Sequence, residues 1–282
     1  MSELRTAAPI AWCPGCGNFE ILNSVIAVLE ELHGEGFPLE KIILVSGIGN
    51  HGKIVDYLHI NSFNSIHGRA LPAAEAIKLA NPDNKVICFV GDGDSYAEGL
   101  EHLIFAAKRN IDLTVVVHNN RTYGLATGQF TPTTQQSYRG STMPYGAKER
   151  NFNPLELLLH SGATFVARGY PVRKEHFRGL LKDAIAHRGF SIIDALQVCV
   201  TFNNLYEAYN ESVAEVEVND PTDLQEALQV ISSWDYSTSG GSIAIGKFFE
   251  ADRASFEQLF PRLEPPGPER EIKLQRLLDR FI

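Results

Sequence analysis

The sequence predicts an α/β chain built on a doubly wound parallel sheet. Three observations lead there. Short β-branched apolar runs, KIILV, KVICFV and DLTVVV, read as strands buried on both faces. Each run ends in a glycine-rich or polar loop, at SGIG, GDGD and HNN. Stretches with helical spacing lie between the runs, the alternation that builds βαβ units.

Taken in order, residues 1–17 form an irregular arm containing Pro and Gly. Residues 18–33 place Ile21, Leu22, Val25, Ile26, Leu29 and Leu32 at helical spacing, with Asn18 as N-cap and Gly34 as stop. The first strand follows, then a helix over 68–80 ended by Asn81-Pro82. A second strand, a helix over 95–109 and a third strand come next. ATFVARG and FSIIDALQV are two further strands, with a helix near 174–187 between them. Ligands of such sheets sit at the carboxyl ends of the strands, so the loops after Val45, Val90 and Val117 are expected to line one site. The organisation expected is an arm at 1–17, a ligand-binding domain at 18–200 and a C-terminal extension at 201–282. In the extension the strand–helix pattern weakens, PRLEPPGPER reads as a Pro-rich linker and IKLQRLLDRF as an amphipathic helix. Such a helix docks on a neighbour or another subunit, or else is a solvated tail.

The chain has 282 residues, 44% of them hydrophobic, enough for a sizeable core. Lys+Arg total 25 against Asp+Glu 34, a net charge of −9 that argues against a nucleic-acid binder led by bulk charge. No apolar stretch reaches membrane-spanning length, and MSELRTAAPIAW lacks the apolar core of a signal peptide. A cytoplasmic location away from membranes is expected. Four cysteines are too few for a disulfide scaffold there and read as metal ligands, redox groups or core fillers.

The most informative stretch is Gly91-Asp92-Gly93-Asp94 together with Asn119-Asn120, Asp92 and Asn120 lying 28 residues apart. Glycines after a strand let backbone N–H groups approach a diphosphate, and the next helix N-terminus favours its charge. Asp92 offers Mg²⁺ a hard oxygen, Asn120 a neutral one and the Thr122 carbonyl a third, the kind of set Mg²⁺ shares with phosphates and water. The spaced pair resembles the thiamine diphosphate signature of GDG followed by a double Asn. Cys13-Pro14-Gly15-Cys16 is a C-x-x-C knuckle, by itself a zinc half-site or a redox pair.

A family resemblance covers residues 12 to about 203. WCPGCGN, VSGIG, SIHGRALPAAEAIKLANP, GDGDSYAEG, HLIFAAKRNIDLTVVVHNN, YGLATGQFTPTT and CVTFN together resemble the β subunit of the 2-oxoacid:ferredoxin oxidoreductases. The tail to about residue 260 is similar to that family's C-terminal extension. The resemblance implies the diphosphate-binding type of sheet domain, carrying thiamine diphosphate and Mg²⁺. It implies a partner α subunit with the pyrimidine-binding domain and the activating Glu, so that this chain alone is inactive. It also implies oxidative decarboxylation of a 2-oxoacid to acyl-CoA and CO₂, with coenzyme A as acyl acceptor and electrons passing through an iron–sulfur cluster to ferredoxin. Within the chain, His67 matches a catalytic position beside the cofactor, a buried loop histidine being the alternative. Gly47-Ile48-Gly49 would approach the cofactor with its backbone, and Tyr123-Gly124-Leu125 would pack near the thiazolium. Asp94 would support the phosphate loop or cap the next helix.

Where the family supplies four cysteines to a [4Fe–4S] cluster, this chain matches three, Cys13, Cys16 and Cys199. The remaining position is Asn50, a poor iron ligand, and the next residue, His51, is the possible fourth ligand. Cys88 lies in an apolar strand and reads as core. Lys53 is the nearest cation for the distal carboxylate of a dicarboxylic oxoacid, or is simply solvated, and the expected substrate is pyruvate or another oxoacid without a distal charge. Two other readings compete: a non-redox split-subunit thiamine diphosphate lyase, which would not need the cysteines, and a zinc-bearing non-catalytic subunit, which would not need Asp92 and Asn120.

Overall fold

The computed structural model describes residues 2–260, apart from 137, 141, 142, 239 and 240, and residues 268–280. The expected linker falls mostly on 261–267, outside the described residues. In chain order the elements are α1 (Asn18–Gly34), β1 (Ile42–Ser46), β2 (Asn61–Asn64), α2 (Ala70–Ala80), β3 (Lys85–Gly91), α3 (Leu100–Arg109), β4 (Leu113–Asn119), α4 (Pro154–Ser161), β5 (Phe165–Gly169), α5 (Lys174–Ala186) and β6 (Phe190–Leu196). Beyond these come α6 (Tyr206–Ser212), β7 (Val213–Glu215), α7 (Leu224–Ser232), β8 (Ile243–Glu250) and α8 (Pro268–Leu278).

The strands form one sheet in the order β2-β1-β3-β4-β6-β5-β8-β7. From β2 to β5 every pairing is parallel; β8 joins β5 antiparallel, and β7 runs parallel to β8. β4 and β6 are buried along their whole length, which is why they read as unbroken apolar runs rather than alternating ones. Residues of α1 and α5 fill one core layer, with Leu29, Phe177 and Leu181 against Leu44 and Ile193. Residues of α2, α3, α4 and α7 fill the opposite layer, with Leu71, Leu103, Leu158 and Ile231 against Val115 and Ile192. Cys88 is fully buried in that second layer, as core.

Differences from the sequence reading have physical causes. Asn18 does not cap α1: Gly17 holds the N-cap position without a side-chain bond, and the Asn18 amide oxygen turns inward to His118 Nδ1 at 2.9 Å. The helix expected over 95–109 is two pieces. A π-helical turn spans Asp94–Glu98, and α3 begins after Gly99. A Cβ at Gly99 would press on the Asp94 and Gly68 carbonyls, so the backbone there is packed against the loop bearing His67. The weakly patterned segment after residue 200 supplies β7 and β8, which extend the sheet edge. α8 leaves Ile272 and Leu278 exposed. No helix among the described residues is long and apolar enough to cross a membrane.

Candidate functional site

β1, β3 and β4 are adjacent and parallel, so their carboxyl ends and the loops that follow lie side by side. Those loops and His67 surround a cavity of about 310 Å³, lined by residues 48–51, 67, 91–94, 120 and 122–126. Every residue expected to hold the diphosphate or Mg²⁺ lines it except Gly47, which lies just behind. A Cβ at Gly47 would collide with the Asp94 carboxylate, and one at Gly93 would collide with the Tyr123 ring. Both positions therefore require glycine for close approach.

Asp92 is buried at 2% exposure, and burial pushes its carboxyl up to about 7 against the hydrogen bonds of Thr131 and Thr133. A buried carboxylate with hydroxyl partners and a raised affinity for protons is a group that a cation would stabilise. Asn120 Oδ1 accepts the Thr122 N–H at 3.1 Å, bending the chain tightly around Arg121. Arg121 sits in the left-handed region with φ 61°, fully buried. Its guanidinium donates to the carbonyls of Thr133 (2.7 Å), Thr238 (2.7 Å) and Tyr236, and lies over Trp234. This anchorage holds the strained residue between Asn120 and Thr122, two of the three expected metal ligands. These features fit a diphosphate–Mg²⁺ pair.

Asp94 does not cap a helix. Its Oδ1 accepts the Gly68 N–H at 2.7 Å, and its Oδ2 lies 3.5 Å from His51 Nε2. Burial works against its charge, but the nearby His51 ring and the Gly68 N–H outweigh burial and hold its carboxyl below the ordinary value. His67 Nδ1 stands 3.8 Å from Asp94 and 3.6 Å from Glu98, half exposed at the cavity mouth. Tyr123 OH donates to Glu98 at 2.9 Å, and its ring centroid is 6.1 Å from that of His67. Tyr123 N and Gln129 O close a short hairpin at 3.0 Å, which presents Gly124 and Leu125 to the cavity. Lys53 pairs with Asp56 at 2.9 Å on the surface, and the described residues lining the cavity include no Lys or Arg.

The arm brings two cysteines to the other side of the same loops. Its backbone bridges Arg5 to Leu58, and Trp12 packs edge-on against Phe19 and Tyr57. Trp12 Nε1 donates to Asn50 O at 2.6 Å. The knuckle closes with Cys16 N on Cys13 O at 3.0 Å, and Gly17 N bonds Val198 O at 3.0 Å, seating it beside Cys199. Thr201 Oγ1 stands 3.4 Å from Cys13 Sγ, and Gln197 Nε2 stands 3.5 Å from Cys16 Sγ. Burial, reinforced by Cys199 and Cys13, pushes the Cys16 thiol up to about 11. The three thiols are neighbours, yet among the described residues no group of three or more His, Cys, Asp or Glu is arranged to hold a metal ion. The donor set thus fits a four-thiolate cluster only in part. Asn50 Nδ2 and Cys199 Sγ both lie near Gly124, and the His51 ring lies against Gly91, with its Nδ1 2.9 Å from where a Cβ would stand.

The sequence reading missed Thr133, Asp194 and Glu98, and named Asn119 only as part of the double Asn. An Asp inside the buried run FSIIDAL and the hydroxyl-rich TPTT were the available signals.

The family model described as "Thiamine pyrophosphate enzyme, C-terminal TPP binding domain" matches residues 47–195. A second model, for the C-terminal part of the pyruvate ferredoxin oxidoreductase beta chain, matches residues 199–265. The chain is 38% identical over 269 residues to the 2-oxoacid:ferredoxin oxidoreductase subunit beta of Saccharolobus solfataricus, covering 90% of this chain and 86% of that one. It is 41% identical over 206 residues to the 2-oxoglutarate synthase subunit KorB of Archaeoglobus fulgidus, covering 73% and 76%. A solved 2-oxoglutarate:ferredoxin oxidoreductase from Magnetococcus marinus, with 2-oxoglutarate, coenzyme A and succinyl-CoA bound, superposes with a TM-score of 0.85 at 29% identity, over 98% of this chain and 90% of that chain. With the parallel sheet and the cavity at its carboxyl end, these likenesses place the chain among the β subunits of the 2-oxoacid:ferredoxin oxidoreductases, thiamine pyrophosphate-dependent enzymes that work with a partner subunit.

Proposed function

We propose that this chain holds the diphosphate of thiamine diphosphate through Mg²⁺, taken by Asp92, the Asn120 side chain and the Thr122 carbonyl, in an enzyme that oxidatively decarboxylates a 2-oxoacid to acyl-CoA and CO₂. The observation that carries this reading is the buried Asp92, which lines a cavity together with Gly49, Gly91, Gly93, Asn120 and Thr122. Thiamine diphosphate supplies the electron sink for breaking the bond between the 2-oxoacid's keto and carboxyl carbons. The chain's own residues do the rest. The backbones of Gly47, Ile48, Gly49, Gly91 and Gly93 admit the cofactor closely, Asp94 braces the loop after β3 through Gly68, and Tyr123, Gly124 and Leu125 cover it. His67, turned toward Asp94 and Glu98, is placed to hydrogen-bond a phosphate or steer a proton.

A partner α subunit would complete the site with the pyrimidine-binding domain and the activating Glu. Coenzyme A would take the acyl group and ferredoxin the electrons. Cys13, Cys16 and Cys199 are the residues that would hold an iron–sulfur cluster on this chain, with no thiolate at the fourth side. The environment of His51 favours the cofactor cavity over the cluster. With no Lys or Arg among the described residues of the cavity wall, recognition of a distal carboxylate would fall to the partner, and substrate choice between a pyruvate-like and a 2-oxoglutarate-like acid with it.

The test is anaerobic turnover by the reconstituted complex with a 2-oxoacid, coenzyme A and a viologen dye. Acyl-CoA and reduced dye in step with CO₂ support the reading. CO₂ release that needs neither dye nor coenzyme A favours the non-redox lyase instead.

A further inference from the structure

TPTT at residues 131–134 enters the site from behind. Thr133 is fully buried, and its Oγ1 lies 3.0 Å from Asp92 Oδ2 and 2.9 Å from Asn119 Oδ1. A hydroxyl has one proton, so it is shared as a three-centre bond in which the charged carboxylate is the stronger acceptor. Asn119 cannot turn its amide over to relieve the sharing. Its Nδ2 donates to Asp194 Oδ1 at 2.9 Å, and Asp194 is an acceptor already fixed by Tyr96 OH at 3.1 Å and Tyr236 OH at 2.5 Å. The Arg168 guanidinium, 3.7 Å away and wholly buried, balances the Asp194 charge and donates to Tyr236 OH at 3.1 Å and Ala244 O at 3.0 Å. Thr133 is locked along the chain as well: its carbonyl accepts from Arg121 Nε at 2.7 Å, and Thr134 Oγ1 donates to Arg121 O at 2.7 Å.

We infer that Thr133 is a positioning residue for the metal-binding carboxylate: by holding Oδ2 of Asp92 it leaves Oδ1 as the oxygen presented to Mg²⁺. The direction of the hold originates in the Arg168–Asp194 pair and reaches Asp92 through Asn119 and Thr133. Every group in that path is buried, so each bond keeps its geometry without competition from water. Partners that orient a metal ligand commonly govern affinity about as strongly as 10- to 100-fold. This rests on the proposed Mg²⁺ site and adds to it a residue that touches neither metal nor cofactor.

The experiment is Mg²⁺-dependent binding of thiamine diphosphate to the assembled complex, followed by calorimetry as Mg²⁺ is varied. Thr133→Val removes the hydroxyl at nearly constant volume, and Thr133→Ser restores it. Thr133→Ala serves if the valine variant does not fold, and thermal melting of each variant without metal checks the fold. The expected result is a Mg²⁺ affinity about 10- to 100-fold weaker in Thr133→Val, recovered to near wild type in Thr133→Ser, with metal-free melting of the valine variant lowered by the unpaired buried acceptors but still cooperative. Wild-type affinity in Thr133→Val, or equal weakening in the valine and serine variants, overturns the inference while leaving the Mg²⁺ site standing. Absence of Mg²⁺-dependent binding in the wild-type complex overturns the site itself.

Discussion

Asn50 and Cys199 stand on the same side of Gly124: a Cβ built on that glycine would lie 3.7 Å from Asn50 Nδ2 and 3.6 Å from Cys199 Sγ. An amide thus stands at the position where the family resemblance puts the fourth thiolate of the set begun by Cys13, Cys16 and Cys199. Asn50→Cys should therefore slow the loss of iron to a chelator in anaerobically purified protein. The Asn50 carbonyl that accepts from Trp12 is unaffected by the change. His51→Ala should leave iron and sulfide content and the EPR spectrum as in wild type. Release of iron by His51→Ala would return the histidine to the cluster, and iron-free wild-type protein would remove the cluster.

The rim of the cavity carries apolar side chains left open to water, Ile48 at 43% and Leu125 at 61% exposure, and Ile66, next to His67 in the chain, is 71% exposed. Such a rim belongs against another protein surface. Expressed alone, the chain should show no 2-oxoacid-dependent reduction of viologen, and adding the α subunit should restore it. Substantial activity of the isolated chain would place the activating Glu here.

Away from the site, Asp112 joins two lysines, with Lys78 Nζ at 2.5 Å and Lys85 Nζ at 3.1 Å. Burial raises the Asp112 carboxyl, but Lys85 and Lys78 outweigh it and hold the carboxyl below its ordinary value. A carboxyl depressed in the folded state stabilises above its unfolded value of about 4, and that stability is lost as pH falls through the folded value. Asp112→Asn should flatten the decline in urea stability below about pH 4. At pH 7 it should cost about 3–5 kcal/mol, because Lys78 stays buried without its counter-charge. An unchanged acid limb would show that Asp112 does not control it.

The buried strands and their order-bearing loops were legible because strands covered on both faces leave continuous apolar runs, as in KVICFV and LTVVV. The diphosphate loops were legible because glycine spacing is a backbone requirement visible in one dimension. Strands β2, β7 and β8 were not: β2 and β7 are the two edges of the sheet, and Asn61–Asn64 is exposed throughout and carries no apolar signal. The orientation of His51 and Asn50 was also beyond reach. Both follow Gly49, and the direction each side chain takes depends on the tight turn there, not on residue type. Asp194 and Thr133 meet across 61 residues of chain through Asn119, a contact that no local pattern encodes.

The most direct measurement is the affinity of the assembled Asp92→Ala complex for thiamine diphosphate, titrated calorimetrically with and without Mg²⁺. The proposed site predicts that wild type binds the cofactor only when Mg²⁺ is present and that Asp92→Ala shows no Mg²⁺-dependent binding. Unchanged, Mg²⁺-dependent affinity in Asp92→Ala would contradict it.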